Sequence, residues 1–390
     1  MERREVYLDN NATTRVDDRV AEYMNHFHLT DYAVASSQFS HTPGIRAKDA
    51  VDNARGIIAN TLNAEQEEII FTSGDTESNN LTLNGVIEGN KDKQKKKILV
   101  SKIEHFSVLD TAKRLAKKGY AVDFINVNNE GFIDLNHLED LIDESTLIVS
   151  VMHGNHEVGT LQNLKSISEI VHKYGSLFHS DATYSYLQVP IDVNDIGVDL
   201  LTLSADKVHG PKGVGALYIR KGTPIIKIME GGYQEYNIRP GVENVPGIAG
   251  FGKACEIYND EETNKIKNLK NYLYSTIKSK IDRVSLNGAS DFNKRIPNNL
   301  NVSFDYVEGE SVVLHLDMRG ISVITGSACF SRSLHASHVL LAMGFSHERA
   351  HGSIRFGLSK YITKEDIDYT VYHVNEVVEN LRNLSPLTKS

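Results

Sequence analysis

The sequence predicts an α/β protein built on a largely parallel sheet. Up to Arg220, short apolar runs alternate with amphipathic stretches, the order in which each strand-to-strand crossover passes through a helix. Thr76, His105, His156, Asp181 and Lys207 each follow an expected strand, where ligands collect in such sheets. Beyond Gly241 the alternation gives way to longer helices and scattered strands, the pattern of a smaller α+β unit.

The 390 residues are 40% hydrophobic and 24% charged, enough for two substantial cores in a globular protein. A net charge of −9 argues against a direct nucleic-acid surface, and the basic run Lys91–Lys97 reads as a solvated loop. No signal peptide and no membrane span are expected. Two cysteines, Cys255 and Cys329, do not make a disulfide framework, so a reducing cytoplasm is the expected compartment.

Taken in order, Tyr7–Thr14 is a short strand entering a polar turn, Val20–Phe27 a helix, Tyr32–Gly44 a loop and Arg46–Leu62 a helix with apolar residues at helical spacing. Glu67–Thr72 is a strand that feeds Ser73-Gly74-Asp75-Thr76 into a helix placed at Leu81–Ile87. A glycine-containing turn ahead of a helix presents free N–H groups to an anion. Strands follow at Ile98–Ser101, Ala121–Asn126, Thr146–Met152, Ser176–His179, Val198–Ser204 and Leu217–Arg220, with helices at Ser107–Lys118, Leu135–Ile142 and Leu164–Tyr174 between them. Val245–Tyr258 and Glu261–Ile281 are helices, and a domain boundary is expected near Thr263. Later strands lie at Asn299–Phe304, Ser322–Thr325 and Ser353–Leu358, with helices at Ser311–Met318, Ala336–Met343 and Lys364–Leu381. The small, polar segment Ile324–Ser333 carries Cys329, a thiol placed to react, whereas Cys255 lies within an apolar helix and packs.

Lys207 directs the chemistry. An ammonium at the end of a buried strand is costly to desolvate, and an amine that attacks an aldehyde resolves the cost. An aldehyde cofactor with a phosphate tail would set its phosphate at Gly74–Thr76 with Ser204 nearby. Asp181 would face its ring nitrogen, His105 would stack on the ring, and Lys207 would hold the aldehyde and shuttle the Cα proton of an amino acid. Arg355 would grip the substrate carboxylate and Cys329 would take a sulfur.

These residues sit in motifs: YLDNNATT (7–14), TSGDTESNN (72–80), Glu104-His105, HSDAT (179–183), SADKVHGPKGVGALYIR (204–220), NVSFDYVEGES (301–311), GSAC (326–329) and GSIRFGLSKY (352–361). In kind and order they resemble NifS/IscS-type cysteine desulfurases, class-V aminotransferase relatives of the pyridoxal-phosphate enzymes. The resemblance implies a fold-type I transferase: a large domain (15–262) with a mostly parallel seven-stranded sheet, and a small α+β domain (1–14 and 263–390) carrying the Cys329 loop. It implies a cytoplasmic homodimer that converts L-cysteine to alanine and passes persulfide sulfur from Cys329 to an iron–sulfur scaffold or a tRNA-thiolating protein. Catalysis falls to Cys329, Lys207 and His105, and substrate binding to Asn11 and Arg355. The cofactor is assigned to Gly74, Asp75, Thr76, His156, Asp181, Tyr184, Ser204, Asp206 and Lys207.

The departures from the family pattern cluster at the cofactor. Asp75 stands for the usual Ala, Asp206 for His, His156 for Asn, Tyr184 for Gln and Val242 for Thr, while Ala33–Ser37 replaces GNPSS. Two carboxylates beside a phosphate oppose it: like charges about 4 Å apart cost on the order of 4 kcal/mol at an intermediate dielectric. This leaves room for an alternative, a paralogue with weakened or lost cofactor binding that acts as a sulfur relay or assembly scaffold. A further alternative places a metal in the pocket on His105, His153, His156 and Asp206.

Overall fold

The computed structural model describes residues 4–326 and 336–384. Its centre is a seven-stranded sheet. In chain order its strands are Ile69–Thr72 (β2), Lys97–Ser101 (β3), Ala121–Ile125 (β4), Thr146–Ser150 (β5), Leu177–Asp181 (β6), Leu200–Ser204 (β7) and Gly215–Ile219 (β8), following a two-residue β1 at Val6–Tyr7. The spatial order is β2-β8-β7-β6-β5-β3-β4, with β8 antiparallel to both neighbours and the remaining pairs parallel.

Strands β2, β3, β5, β7 and β8 read as nearly continuous apolar runs because both faces are covered, whereas β6 turns polar at His179-Ser180-Asp181 and the edge strand β4 is partly exposed. Leu99, Val149, Phe178, Leu201, Ala216 and Tyr218 pack into one core with helices Thr42–Leu62, Leu164–Lys173 and Val245–Glu256. Ile98, Val100, Ile148, Leu200 and Leu217 face the other way, against helices Asp75–Gly89 and Phe106–Lys117. A separate core joins Val6 and Leu8 to Leu273, Ile277, Leu300, Val302, Ile354, Phe356 and Val374. It lies around an antiparallel sheet of Val284–Asn287 (β9), Asn299–Phe304 (β10) and Ser353–Gly357 (β12), in the order β12-β10-β9, flanked by helices Asp260–Lys280 and Lys364–Leu384. Ile321–Ser322 (β11) pairs in parallel with β1, which ties the N-terminus to this second core. Among the described residues no helix is long and apolar enough to cross a membrane.

Several boundaries differ from expectation. The helix placed at Leu81 begins at Asp75, because Gly74 at φ 147° breaks the strand direction and Glu77 accepts the Ser73 N–H at 2.7 Å. The strand placed at Ser176–His179 runs on to Asp181, which pairs in register with Thr202. The strand expected at Ser322–Thr325 is reduced to β11 and one bridge from Ile324 to Arg355. The loop expected at Tyr32–Gly44 holds a 3₁₀ turn, Ala35–Ser37, and the start of helix Thr42–Leu62, whose first residues His41 caps. Strand β9, Val284-Ser285-Leu286-Asn287, is not among the expected strands: it alternates apolar and polar residues, but over only four positions.

Candidate active site

β7 runs directly into a 3₁₀ turn, Ala205–Lys207, which places Lys207 over the carboxyl ends of the parallel strands. Its Nζ donates to the Ala12 carbonyl and to Asp206 Oδ2, both at 2.7 Å, and lies 5.4 Å from the centre of the Tyr184 ring. Burial works against the Asp206 carboxylate, but Lys207 beside it holds it below the usual range. The Ser204 hydroxyl donates to the other Asp206 oxygen at 2.7 Å. The hydroxyl expected to meet a phosphate is therefore turned to a carboxylate.

Asp181 ends β6 and is fully buried. Its Oδ1 accepts the Thr183 N–H at 2.9 Å and its Oδ2 accepts the Asn79 amide at 2.8 Å, with no cation paired to it among the described residues. Asn79 reaches in from helix Asp75–Gly89. It also donates to Ser107 Oγ at 2.8 Å and accepts from the Thr202 hydroxyl at 2.7 Å. Thr202 Oγ1 lies 3.1 Å from His179 Nε2, and His179 Nδ1 lies 2.8 Å from Ser150 Oγ. Burial pushes His179 down to about 4, so it is neutral.

His105 caps helix Phe106–Lys117: its Nδ1 accepts the Ser107 N–H at 3.2 Å and lies 2.8 Å from Ser107 Oγ. Its ring meets the His156 ring edge-on at 5.6 Å, and His156 lies 5.7 Å from the Tyr184 ring. Among the described residues the buried His156 Nδ1 has no partner; burial first, then His105, His338 and Arg355 nearby, hold it well below the ordinary histidine range. Burial, then the carboxylates of Asp75, Asp181 and Asp206, hold the Tyr184 phenol well above its ordinary value.

Asp75 opens its helix with no partner for its carboxylate among the described residues. Burial and then Asp181 raise it, Lys207 and His105 pull it down, and Asp206 raises it further. Thr76, beside it, is exposed. Asn11 is buried, and among the described residues neither of its side-chain atoms is hydrogen-bonded. The Arg355 fork is engaged by Asp9 Oδ1 at 2.9 Å and the His156 carbonyl at 3.1 Å, leaving Nε free.

Gly74, Asp75, Asp181, Tyr184, Ser204, Asp206 and Lys207 thus gather at one end of the sheet, with His105, His156, Asn11 and Arg355 around them. Cys329 lies outside the described residues. The set His105, His153, His156 and Asp206 does not form a metal centre. His153 is turned to Ser185 Oγ at 2.9 Å, and no group of three or more His, Cys, Asp or Glu among the described residues is arranged to hold an ion. Cys255 packs as expected: its thiol lies 3.4 Å from the Tyr186 hydroxyl and burial pushes it up to about 12. The sequence reading passed over Asn79, Ser107, Thr202 and His179 as site residues. The available signal was a polar side chain in the interior of an otherwise apolar strand, as at Thr202.

The description "Aminotransferase class-V" belongs to the family model that matches residues 6–370. The chain belongs to the class-V aminotransferase family. Among its relatives, the cysteine desulfurase IscS of Dictyoglomus turgidum is 45% identical over 98% of this chain and 97% of its own. Cysteine desulfurase IscS 1 of Archaeoglobus fulgidus is 46% identical over 98% and 99%. A NifS-like protein of known structure superposes with a TM-score of 0.89 at 39% identity, covering 97% of this chain and 100% of its own.

Class-V enzymes of this kind depend on pyridoxal phosphate, and the residues of this family member fit it. Asp181 is a buried carboxylate backed by two donors and lacking a cation, as a protonated ring nitrogen requires. Lys207 supplies the amine. His156 Nδ1, the Asn11 side chain and Arg355 Nε are buried polar atoms with no hydrogen-bond partner among the described residues, as groups that meet a ligand would be. Less favourable is the end expected to hold the phosphate, where Asp75 and Asp206 bring negative charge.

Proposed function

We propose that this protein is a pyridoxal-phosphate-dependent cysteine desulfurase that moves the sulfur of L-cysteine onto the Cys329 thiol and releases alanine. The C–S bond of the substrate breaks and an S–S bond to Cys329 forms. Of the two thiol protons, one ends in alanine's new methyl group and the other on the terminal sulfur of the persulfide, and the proton taken from the α-carbon returns to it. Asp181 is the observation that carries the reading: a fully buried carboxylate at a strand end, held by Asn79 and Thr183 and paired with no cation among the described residues.

When bound, the cofactor supplies an electron sink for charge developing at the substrate α-carbon. Asp181 keeps the proton on the ring nitrogen. Lys207 Nζ, between Ala12 and Asp206, carries the proton that leaves the α-carbon. His105, His156 and Tyr184 line the ring. Gly74 and Thr76 take the phosphate at the helix start, with Asp75 and Asp206 beside it, while Ser204 stays turned to Asp206. Arg355 and Asn11 receive the substrate carboxylate, which displaces Asp9 from the arginine fork.

The chain divides after residue 262 into a large domain and a small one that includes residues 1–14. It works in the cytoplasm as a homodimer, and hands sulfur to an iron–sulfur scaffold or a tRNA-thiolating protein. Exposed Phe39, Tyr233, Tyr236 and Val242 favour a second copy as the cover of one face.

Purified protein is expected to be coloured, and borohydride is expected to bleach it and leave a pyridoxyl group on the Lys207 peptide. Cys329→Ser is expected to keep the colour and lose sulfide release. The Asp206–Lys207 pair favours one competing reading, a sulfur relay without cofactor. A preparation that stays colourless after pyridoxal phosphate is added would replace the enzyme with that relay.

A further inference from the structure

We propose that Asn79 is a positioning residue: its amide, oriented by the Thr202 hydroxyl, fixes the Asp181 carboxylate and places the ring proton of His105 on Nε2. Counting donors along the chain of contacts leads there. Asp181 Oδ2 and Ser107 Oγ both lie 2.8 Å from Asn79 Nδ2, which has two protons and gives one to each. A flipped amide would set Asn79 Oδ1 against the Asp181 oxygen. Thr202 guards against that flip by donating to Oδ1 at 2.7 Å. Having given its proton to Asn79, Thr202 Oγ1 accepts from His179 Nε2–H at 3.1 Å, and His179 Nδ1 accepts from the Ser150 hydroxyl at 2.8 Å. Every member from Ser150 to Asn79 then has one consistent role.

At the other end, Ser107 Oγ accepts from Asn79, so its own proton is free to point at His105 Nδ1, 2.8 Å away. The Ser107 backbone N–H is directed to the same nitrogen at 3.2 Å. With two donors aimed at it, Nδ1 stays bare and the proton sits on Nε2. The five side chains Ser150, His179, Thr202, Asn79 and Ser107 come from β5, β6, β7 and two helices, and all are buried. A buried network satisfied at every atom holds one arrangement and resists alternatives. Other ionisable groups face its ends. Asp181 lies in the field of Glu104, Asp75, Tyr184 and His179, and His105 faces His156 and His338.

The chemical consequence, a ring nitrogen held by a fixed carboxylate beneath a histidine of set tautomer, rests on the cofactor reading of the site. The network itself does not, so two measurements separate them. The first is ¹⁵N NMR of the histidine rings in cofactor-free protein. His105 is expected as a single Nε2–H tautomer. Asn79→Asp, isosteric but with an acceptor facing Asp181 and Ser107, is expected to give a mixture. Thr202→Val is expected to move part way and Thr202→Ser to restore the single form. The second is the pH titration of the absorbance band after pyridoxal phosphate is added. Asn79→Asp is expected to shift its midpoint by about one pH unit and Thr202→Ser to leave it in place. An Nδ1–H proton on wild-type His105, an unchanged tautomer in Asn79→Asp, or a Thr202→Ser variant that behaves like Thr202→Val would overturn the inference. The expected tautomers in a protein that takes up no cofactor would support the network and refute the enzyme.

Discussion

Asp75 stands apart from the other two carboxylates at the sheet's edge. Asp181 has the ring nitrogen as its expected counter-charge and Asp206 has Lys207 at 2.7 Å, but Asp75 has neither ion pair nor hydrogen bond among the described residues. Its proton affinity is already raised by burial and by Asp181, and a phosphate beside it would raise it further. A group of raised pKa keeps its proton at low pH and loses it as pH rises through that value. Affinity for pyridoxal phosphate is therefore expected to fall as pH rises, and Asp75→Ala is expected to flatten that fall. A tenfold gain in affinity for the variant at alkaline pH corresponds to about 1.4 kcal/mol, well inside what two close like charges can cost in a partly solvated site. Titrating cofactor into both proteins across the pH range checks it, and curves of equal slope would remove Asp75 from the binding energetics.

At the scale of elements, two joints hold the site's supporting pieces. Gly215 on β8 lies so close to its neighbours that an added Cβ would stand 2.6 Å from the Leu203 carbonyl and 2.8 Å from Gly74 Cα. Gly215→Ala is expected to push the Gly74 turn outward, costing about 1–3 kcal/mol of stability by overpacking. Weaker cofactor retention is expected with it, since that turn starts the helix bearing Asp75 and Asn79. A denaturant midpoint and a cofactor titration measure the two effects separately. The second joint is Arg55, buried in helix Thr42–Leu62. It pairs with both oxygens of Glu235 at 2.8 and 2.6 Å, while Glu235 also accepts the Phe71 N–H of β2 at 2.7 Å. Glu235, Tyr236 and Asn237 all adopt left-handed backbone angles, at φ 45°, 54° and 63°. Three such non-glycine residues in a row are held only when their surroundings over-determine them. Glu235→Gln is expected to lose about 3 kcal/mol, because it strands a buried guanidinium. An unchanged melting temperature would show that the pair does not hold the segment.

On the scale of the whole molecule, the same segment borders a face that a lone chain leaves uncovered. Phe39 is 92% and Tyr233 84% exposed, around a groove of about 380 Å³ that Arg55, Glu235 and Tyr236 help to line. Aromatic side chains this open, clustered beside a buried ion pair, match the core of an interface better than free surface. Sedimentation equilibrium is expected to give twice the 43.5 kDa chain mass. Phe39→Asp is expected to shift it toward the monomer, while a wild-type monomer at micromolar concentration would refute the dimer.

The sequence by itself determined the α/β class, the order along the chain of the seven strands of the main sheet and the list of groups that meet at their ends. Those follow from local rules. Covered parallel strands are apolar on both faces, as at Ile98–Val100 and Leu147–Val149, and the residue after such a strand is held at the sheet's edge whatever lies around it. Lys207, Asp181 and His105 were legible for that reason. Tertiary structure alone decided what those groups touch. That Ser204 serves Asp206, that the Arg355 fork is taken by Asp9, and that Asn79 joins Thr202 to Asp181 and Ser107 depend on contacts between residues 28 to 346 positions apart, apart from the two-residue step from Ser204 to Asp206. Hydrogen bonds are short and directional, so their partners are set by how helices settle on the sheet, and no periodicity in the chain encodes that.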